Sequence, residues 1–367
     1  MLESVVPLIQ KVVNGRDLTW EEARDAFIAL ETYDDASYHF FAFTAALHAK
    51  GETADELLGF CRANEHFVSA FETGIDAEAL IDISGTGGDV IKTPNISTAA
   101  AFVIASHGIK VAKQAFFAVT GISGSADLMG AFDIDPLASS RNGPEWVRDV
   151  LAKTGMVVYH ANSMADPEQR KGFFNLMNRR REIGLNYVTT YHLAANAYSP
   201  IPMSRRVYGV FDERYLVPLA ELYRNLGYDR AMIVNGVDGL DEMSNIGATR
   251  IVELIDGEMR EYSVSPEEMG VVRSNKRDIT IESKEQAILD VVRVLYGAEM
   301  GPKRDLVVVN AAAGLYIMNA VASLREGVQL AQELIDDGAA ASKLEDYVAA
   351  CGDPELLQGL HRSAGLA

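Results

Sequence analysis

The chain has 367 residues, of which 48% are hydrophobic, so it is long enough for one large domain or for two domains of unequal size. Its 52 acidic residues exceed its 33 basic residues, which gives a formal net charge of −19 at pH 7. So acidic a surface favours solubility and argues against nonspecific binding to nucleic acid or anionic membranes, since both require basic patches.

Two features of the sequence bear on the cellular compartment. Cys61 and Cys351 lie far apart and have no metal-ligand neighbours, which is typical of reduced thiols in a cytoplasmic protein. The N-terminus lacks the basic and apolar segments of a signal peptide, and no apolar stretch reaches the roughly 20 residues that span a bilayer. We therefore expect a cytoplasmic protein without a membrane span.

The first part of the chain is predicted to be helical. Capping boxes, in which a threonine is followed three residues later by a glutamate, begin at Thr19 and Thr53. Apolar residues at helical spacing follow each box. We expect a smaller all-helical domain over residues 1–75, with a polar helical stretch of residues 165–185 packed against it.

From residue 76 onwards, short β-branched runs alternate with amphipathic helical segments. This alternation predicts an α/β domain over residues 76–367, with a mostly parallel central sheet flanked by helices. Within it, residues 248–264 are predicted to form a hairpin that turns at Asp256-Gly257. The predicted strands comprise residues 80–83, 110–113, 156–159, 206–210, 231–234 and 306–309.

The most informative motif follows the first predicted strand. The segment Asp82-Ile83-Ser84-Gly85-Thr86-Gly87-Gly88-Asp89 is typical of a strand and a glycine-rich turn, and a helix is predicted to begin near Ser97. Glycines bring backbone N–H groups close to a bulky anion, and a helix N-terminus adds further N–H groups. The motif matches neither a P-loop nor a dinucleotide-binding loop, so it predicts another kind of phosphate or pyrophosphate site.

A pair of adjacent carboxylates, Asp241-Glu242, follows the strand predicted at residues 231–234. Mg²⁺ binds through one or two protein carboxylates together with phosphate oxygens, and the hydroxyl of Ser97 is a further candidate ligand. The alternatives are a solvated turn for the acidic pair and a helix N-cap for the serine. Because ligands bind at the carboxyl ends of parallel strands, where both loops lie, the pattern favours a metal–diphosphate site.

Three other polar segments have two interpretations each. Lys113, at a strand end, is predicted to meet a phosphate, and the alternative is a surface lysine. The loop of residues 120–127 is either a second anion cradle or an ordinary helix cap. The cluster Arg179-Arg180-Arg181, with Arg170 and Lys171 nearby, is either a clamp for carboxylates and phosphates or a solvated helical face.

No protein nucleophile is indicated. The seven histidines are scattered, and no Ser-His-Asp or Cys-His arrangement is evident. The surroundings of His160 and His192 show no metal-ligand spacing, so we interpret both side chains as structural. Covalent catalysis is therefore not expected.

Five motifs, taken in order, resemble those of the anthranilate phosphoribosyltransferase family, whose fold is related to that of pyrimidine nucleoside phosphorylases. They are Gly85-Thr86-Gly87-Gly88-Asp89, Asn95-Ile96-Ser97-Thr98, Val111-Ala112-Lys113, Ser123-Gly124-Ser125-Ala126-Asp127 and Gly239-Leu240-Asp241-Glu242. The resemblance covers most of the chain. It implies an enzyme of tryptophan biosynthesis that joins 5-phosphoribosyl 1-pyrophosphate (PRPP) to an aromatic amine, releases pyrophosphate, and dimerises through its helical domain.

The resemblance also assigns roles to individual residues. Ser97, Asp241 and Glu242 would bind two Mg²⁺ ions. The absence of a nucleophile fits, because metal and backbone N–H groups stabilise the departing pyrophosphate without one. The implied PRPP-binding residues are Gly85, Gly88, Asp89, Thr93, Asn95, Thr98, Lys113 and Ser125.

The departures from the family concern the acceptor side. Where the family has Lys-His-Gly-Asn-Arg, this chain replaces the anthranilate-contacting asparagine with Phe116 and the following arginine with Phe117. Arg170-Lys171 replaces a His-Pro pair, and residues 189–194 replace Phe-Asn-Leu-Leu-Gly-Pro. The arginine that holds the anthranilate carboxylate aligns with Arg180. The donor side is nearly intact, and our hypothesis is that the chain keeps the phosphoribosyl donor site but uses an aromatic, anionic acceptor other than anthranilate.

Three alternatives remain at the level of the sequence. The first is an ordinary anthranilate enzyme with a diverged loop. The second is a nucleoside phosphorylase, which the intact pair Asp241-Glu242 disfavours because a diphosphate needs metal more than inorganic phosphate does. The third is a non-catalytic relative that uses the cleft only for binding.

Overall fold

A computed structural model describes residues 2–88, 91–115, 122–135, 137–185, 188–195, 197–237 and 239–366, without the side chains of residues 174, 178 and 181. In this part of the chain, no helix combines the length and the apolar composition needed to cross a bilayer. The helices are α1 (Val6–Val13), α2 (Trp20–Thr32), α3 (Ser37–Lys50), α4 (Ala54–Phe67), α5 (Ile96–Ser106), α6 (Ser125–Gly130), α7 (Ala138–Thr154), α8 (Lys171–Glu182), α9 (Thr190–Ala194), α10 (Leu216–Asn225), α11 (Pro266–Met269), α12 (Lys276–Ile279), α13 (Lys284–Leu295), α14 (Pro302–Ile317), α15 (Leu324–Asp336), α16 (Ala339–Cys351) and α17 (Pro354–Ser363).

Both predicted capping boxes are present. The Thr19 side chain accepts the N–H of Glu22 at the start of α2, and the Glu22 carboxylate accepts the N–H of Thr19. Thr53 and Glu56 repeat the arrangement at the start of α4. Glu56 is fully buried and also accepts the N–H of Leu18 at 3.1 Å, so it ties the starts of the two helices together.

The central sheet has seven strands in the order β3-β2-β1-β4-β5-β6-β7. Strands β1 to β5 are parallel, and β6 and β7 form the predicted antiparallel hairpin at one edge. This confirms the predicted α/β class with a mostly parallel sheet. The strands are β1 (Leu80–Gly85), β2 (Lys110–Gln114), β3 (Met156–Tyr159), β4 (Arg205–Gly209), β5 (Arg230–Gly236), β6 (Thr249–Ile255) and β7 (Glu258–Val264).

The strand order reverses between β1 and β4. From β1 the chain runs outward through β2 and β3, and then returns to place β4 on the other side of β1. In parallel sheets such a reversal leaves a crevice at the carboxyl ends of the two strands, where ligands bind. Here the crevice begins at Gly85 and Gly209, which pair with each other in the sheet.

The prediction of a strand at residues 306–309 is wrong. These residues lie inside α14, which begins after Gly301 with Pro302 in its first turn. A short β-branched run is typical of either a buried strand or a fully buried helix, and periodicity does not separate the two. Leu306, Val307, Val308 and Val309 are all buried, so packing on all sides overrides their preference for strands.

A buried ion pair lies between the two central strands. Asp82 of β1 and Arg206 of β4 are neighbours in the sheet register, both are fully buried, and the guanidinium donates to the carboxylate. Arg206 also donates to the carbonyl oxygen of Ala197 at 2.9 Å. The pair joins β1 to β4 directly beneath the crevice.

The mid-chain helix α8 packs against α2 and α3. Arg170, just before α8, is fully buried, and its Nε donates to Glu31 of α2 at 2.6 Å. Its Nη2 donates to Asn64 of α4 at 2.7 Å, and the Tyr191 hydroxyl of α9 also donates to Glu31. One buried carboxylate and one buried guanidinium therefore connect four helices.

The contacts of His160 support the structural role predicted from the sequence, and its burial leads to a prediction about how stability depends on pH. Its Nδ1 accepts the N–H of Ser163 at 3.1 Å, and burial lowers its pKa to about 4. Between pH 6.5 and 4 the unfolded chain therefore binds a proton that the folded chain does not, so stability is lost as the pH falls through this window. The variant His160→Asn retains a capping acceptor but has no group that titrates here. When the pH falls from 7 to 5, we expect its free energy of unfolding to decrease by about 1–2 kcal/mol less than that of the wild type. Urea unfolding at both pH values measures this, and identical losses would contradict it.

Candidate active site

A cleft with an interior volume of about 150 Å³, open to solvent at its mouth, lies beside the carboxyl end of β1 and the loop that follows β5. Eight of its lining residues are candidate PRPP or Mg²⁺ ligands from the sequence analysis, and the fold brings them together here. They are Gly85, Thr93, Asn95, Ser97, Thr98, Ser125, Asp241 and Glu242, and the remaining lining residues are Lys92, Pro94, Ile96, Ile122, Ser123 and Gly124.

The glycine turn and the acidic loop are in direct contact. The backbone N–H of Gly87 donates to the Asp241 carboxylate at 2.7 Å, although 154 residues separate them in the sequence. The Asp241 loop reaches this position because it follows β5 and closes with a bond from Gly236 N–H to the Leu240 carbonyl oxygen at 2.9 Å. The Asp241 carboxylate therefore accepts a backbone N–H of the kind that also binds phosphate oxygens.

Two glycines make this close approach possible. A Cβ atom added to Gly85 would overlap the Asp241 carboxylate, and one added to Gly209 would overlap the Asp241 backbone. The two glycines end β1 and β4, so the acidic loop lies directly on the backbone of both strands. Any larger residue at either position displaces Asp241.

The turn itself needs glycine for a different reason. Gly87 and Gly88 have φ values of +65° and +86°, in the left-handed region that L side chains rarely adopt. A Cβ added to Gly88 would lie 3.4 Å from the ring of Phe211 and 3.6 Å from Val188. The turn therefore connects the cleft on one side with the segment that precedes α9 on the other.

Ser97 and Lys113 form a second contact within the site. Lys113 is 1% exposed, and its Nζ donates to the Ile83 carbonyl oxygen at 2.7 Å and to Ser97 Oγ at 3.2 Å. Burial lowers the pKa of Lys113 to about 8, against the opposing influence of nearby carboxylates, with Asp82 the largest of these. The surface-lysine alternative is therefore wrong. The helix N-cap alternative for Ser97 is also wrong, because the cap residue of α5 is Asn95.

The segment around Ser123 closes the opposite side of the cleft. The Ser123 hydroxyl donates to Asn95 Oδ1 at 3.0 Å, and Asn95 Nδ2 donates to the Ser123 carbonyl oxygen at 3.3 Å. Ser125 begins α6, with Gly124 as its cap and the Asp127 carboxylate accepting the Gly124 N–H at 2.9 Å. This segment is thus both a helix start and one wall of the cleft.

The donor atoms of the cleft suit a hard cation that is shared with a phosphate. Asp241, Glu242 and Ser97 present oxygen ligands, the type that Mg²⁺ prefers. Burial raises the pKa of Asp241, while the Gly87 N–H and the charges of Lys92 and Lys113 act in the opposite direction. Among the described residues no group of three or more His, Cys, Asp or Glu side chains could hold an ion alone. An ion here would therefore share its coordination with ligand oxygens.

The basic cluster divides into buried and exposed members. Arg170 is fully buried, Arg180 is 7% exposed, and Arg179 is exposed. Lys171 is exposed and pairs with Glu168 at 2.7 Å. The alternative of a solvated helical face is therefore wrong for Arg170 and Arg180, although it fits Lys171.

Not every predicted residue can be placed. Asp89, Phe116 and Phe117 lie outside the described residues. Arg180 is not part of the cleft lining and lies on α8 instead. Lys92, which was not among the residues predicted from the sequence, also lines the cleft, and it is the only basic residue between the glycine turn and α5. Its position between two motifs that are predicted to bind phosphate is the signal that could have identified it.

Two family models match the chain. The helical bundle domain of the glycosyl transferase family matches residues 6–65, and the α/β domain of the same family matches residues 77–341. With the fold and the cleft, these matches define a glycosyl transferase made of a helical bundle and an α/β domain.

The curated relatives narrow the family. The anthranilate phosphoribosyltransferase of Petrotoga mobilis is 34% identical over 340 residues, which cover 93% of this chain and 95% of the relative. That of Clostridium beijerinckii is 36% identical, covering 92% of this chain and 96% of the relative. The chain belongs to the anthranilate phosphoribosyltransferase family and is a pentosyltransferase, which confirms the predicted resemblance.

Solved structures agree with this assignment. The crystal structure of anthranilate phosphoribosyltransferase from Thermus thermophilus has a TM-score of 0.81 at 31% identity and covers 94% of this chain and 98% of its own. The Saccharomyces cerevisiae enzyme in complex with PRPP and Mg has a TM-score of 0.79 at 20% identity, covering 95% and 98%. At that identity the yeast structure supports the fold alone.

Proposed function

We propose that this chain transfers the 5-phosphoribosyl group of PRPP to an aromatic amine of the anthranilate type and releases pyrophosphate, as an enzyme of tryptophan biosynthesis. The observation that carries the proposal is the bond from Gly87 N–H to Asp241, because it brings an anion cradle and a carboxylate pair to one cleft. The curated relatives support it by name. The yeast enzyme, which shares the fold, has been solved in complex with PRPP and Mg.

We assign one group of residues to Mg²⁺ and a second group to PRPP. Ser97, Asp241 and Glu242 are the proposed Mg²⁺ ligands. Lys113 is buried behind Ser97 and donates to it, so it orients the hydroxyl and adds positive charge beneath the phosphates. The proposed contacts to PRPP itself are Gly85, Gly88, Asp89, Thr93, Asn95, Thr98 and Ser125.

The chemistry requires positioning and charge more than a reactive side chain. The C1–O bond of the ribose breaks, pyrophosphate leaves, and the amine nitrogen forms the new bond to C1 and then loses a proton. Backbone N–H groups at the α5 N-terminus accommodate the departing anion. Mg²⁺, when bound, supplies additional positive charge on the pyrophosphate side.

The acceptor is the finer part of the proposal. In the sequence, Phe116 and Phe117 replace the asparagine and the arginine of the family, which favours an acceptor with a more apolar ring. Arg180 is retained and buried, so the acceptor keeps an anionic group. We therefore propose an aromatic amino acid anion, either anthranilate itself or an analogue with a larger apolar ring.

The function is tested by measuring pyrophosphate release from PRPP, in the presence of Mg²⁺, with a panel of acceptors. The panel pairs 2-aminobenzoate with its neutral counterpart 2-aminobenzamide, and adds aminocarboxylates with fused second rings. We expect turnover with carboxylate acceptors. Turnover only with phosphate and a nucleoside would favour a phosphorylase, and PRPP binding without turnover of any acceptor would favour a binding protein.

We include a homodimer formed through the N-terminal helices in the proposal. In support, Val13 of α1 and Tyr38 of α3 are 67% and 83% exposed, and the two helices pack side by side. Exposed apolar side chains on adjacent helices are typical of surfaces that bind a partner.

A further inference from the structure

The connection between α12 and α13 contacts two segments of the cleft that are far apart in the sequence. The backbone N–H of Ile281 donates to the carbonyl oxygen of Lys92, a lining residue, at 2.8 Å. Lys284, the first residue of α13, donates from Nζ to Oδ1 of Asp127 on α6 at 2.7 Å. One short stretch of chain thus holds a segment on each side of the proposed donor site.

This connection is itself held firmly by the rest of the fold. Ile279 and Ile281 are both buried, at 0% and 2% exposure. The Ser283 hydroxyl accepts the N–H of Gln286 at 3.1 Å and so caps the start of α13. Lys284 therefore extends toward the cleft from a fixed backbone position.

The Asp127 carboxylate links Lys284 to the cleft wall. Its Oδ2 accepts the N–H of Gly124, a lining residue, at 2.9 Å, while Oδ1 accepts Lys284. Lys284 therefore fixes the orientation of this carboxylate. Its positive charge also offsets a negative charge that lies one hydrogen bond away from a cleft proposed to bind a polyanion.

The position of Gly124 matters for two proposed contacts to PRPP. Ser123, which precedes it, exchanges hydrogen bonds of 3.0 and 3.3 Å with the Asn95 side chain. Ser125, which follows it, begins α6. A shift of this wall would therefore displace Asn95 and Ser125 together.

We propose that Lys284 is a positioning residue for the phosphoribosyl donor and acts through Asp127 on the wall of residues 123–125. The inference rests on the proposed function and deepens it, because it adds a residue outside the recognised motifs that determines the affinity for PRPP. Lys284 does not line the cleft. It therefore affects the binding of PRPP and not the breaking of the C1–O bond.

The test uses Lys284→Met, which removes the charge, and Lys284→Arg, which retains it. The side chains of Lys284 and Asp127 are 51% and 21% exposed, so the pair is partly screened by solvent. The KM and the Kd for PRPP should rise roughly two- to fivefold in Lys284→Met, while kcat stays at the wild-type value. Lys284→Arg should recover most of the loss. Lys276→Met, which removes an exposed lysine at the start of α12, is the matched control and should leave both constants unchanged.

A double-mutant cycle shows whether the effect passes through Asp127. Asp127→Asn keeps an oxygen for the Gly124 N–H but removes the charge that pairs with Lys284. In that background, Lys284→Met should change the KM for PRPP no further. An equal rise in KM with and without the Asp127 carboxylate would overturn the inference.

Calorimetry of PRPP binding in the presence of Mg²⁺ separates this inference from the proposed function. If no amine is turned over but Lys284→Met still weakens PRPP binding and arginine restores it, the function fails and the positioning role stands. A merely structural contact would lower the stability and leave the Kd for PRPP unchanged, which would overturn the inference. No binding of PRPP by the wild type would overturn it as well.

Discussion

Asp241→Asn is expected to lower kcat/KM for pyrophosphate release by about 100-fold or more, because it removes a proposed Mg²⁺ ligand, and a cation that stabilises the departing pyrophosphate is worth several kcal/mol. The substitution keeps the size of the side chain and an oxygen that can accept the Gly87 N–H, so the fold of the turn should persist. The Mg²⁺ concentration that gives half-maximal activity should rise in parallel. Steady-state kinetics over a Mg²⁺ titration measures both effects.

The matched control for this experiment is Asp256→Asn. Asp256 lies in the exposed turn of the β6–β7 hairpin with a φ of +50°, a conformation that asparagine readily adopts. Asp256→Asn removes the same charge far from the cleft, so its kcat/KM and its Mg²⁺ dependence should equal those of the wild type. If Asp241→Asn and this control had the same activity at every Mg²⁺ concentration, Asp241 would not be a Mg²⁺ ligand.

Arg170→Met is expected to lower the free energy of unfolding by about 3–5 kcal/mol, because it leaves the carboxylate of Glu31 buried without its ionic partner. The loss should appear in the transition that reports the helical part of the chain, since the pair connects α8 to α2. Urea unfolding followed by circular dichroism measures it. Replacing Glu31 with leucine in the same variant should restore much of the loss, because an apolar pair of similar volume removes the uncompensated charge.

The neighbouring residue supplies the comparison. Lys171 pairs with Glu168 at 2.7 Å, but both side chains are exposed, at 45% and 78%. Lys171→Met should therefore cost at most about 1 kcal/mol. If the two variants were equally stable, the Arg170–Glu31 pair would not hold the mid-chain helix in place.

Local signals in the sequence predict much of this fold. The capping boxes at Thr19 and Thr53 identify helix starts because each threonine side chain accepts a backbone N–H only three residues away. The glycine turn after β1 is equally local, since left-handed backbone at Gly87 and Gly88 requires glycine. The strands from β1 to β5 are recognisable because both faces of a parallel sheet are buried.

Long-range contacts are what the sequence does not reveal. The Val307-Val308-Val309 run is helical because packing surrounds it, and the only nearby signal of a helix is Pro302 in the first turn of α14. The ion pairs Asp82–Arg206 and Arg170–Glu31 join residues that lie 124 and 139 positions apart. His192 accepts the N–H of Thr189, just before α9, and lies 3.4 Å from an Arg180 nitrogen of α8; the second contact is evident only in the structure.

Gly209 lies behind Asp241, at the end of β4, and belongs to no recognised motif. Because the backbone of the acidic loop rests on it, a side chain there would shift a proposed ligand without touching the ion. A genetic screen for variants that lose Mg²⁺-dependent activity would therefore recover substitutions at Gly209 together with substitutions of the ligands themselves. Attempts to re-engineer the ion preference of this enzyme have to treat that glycine as a fixed part of the scaffold.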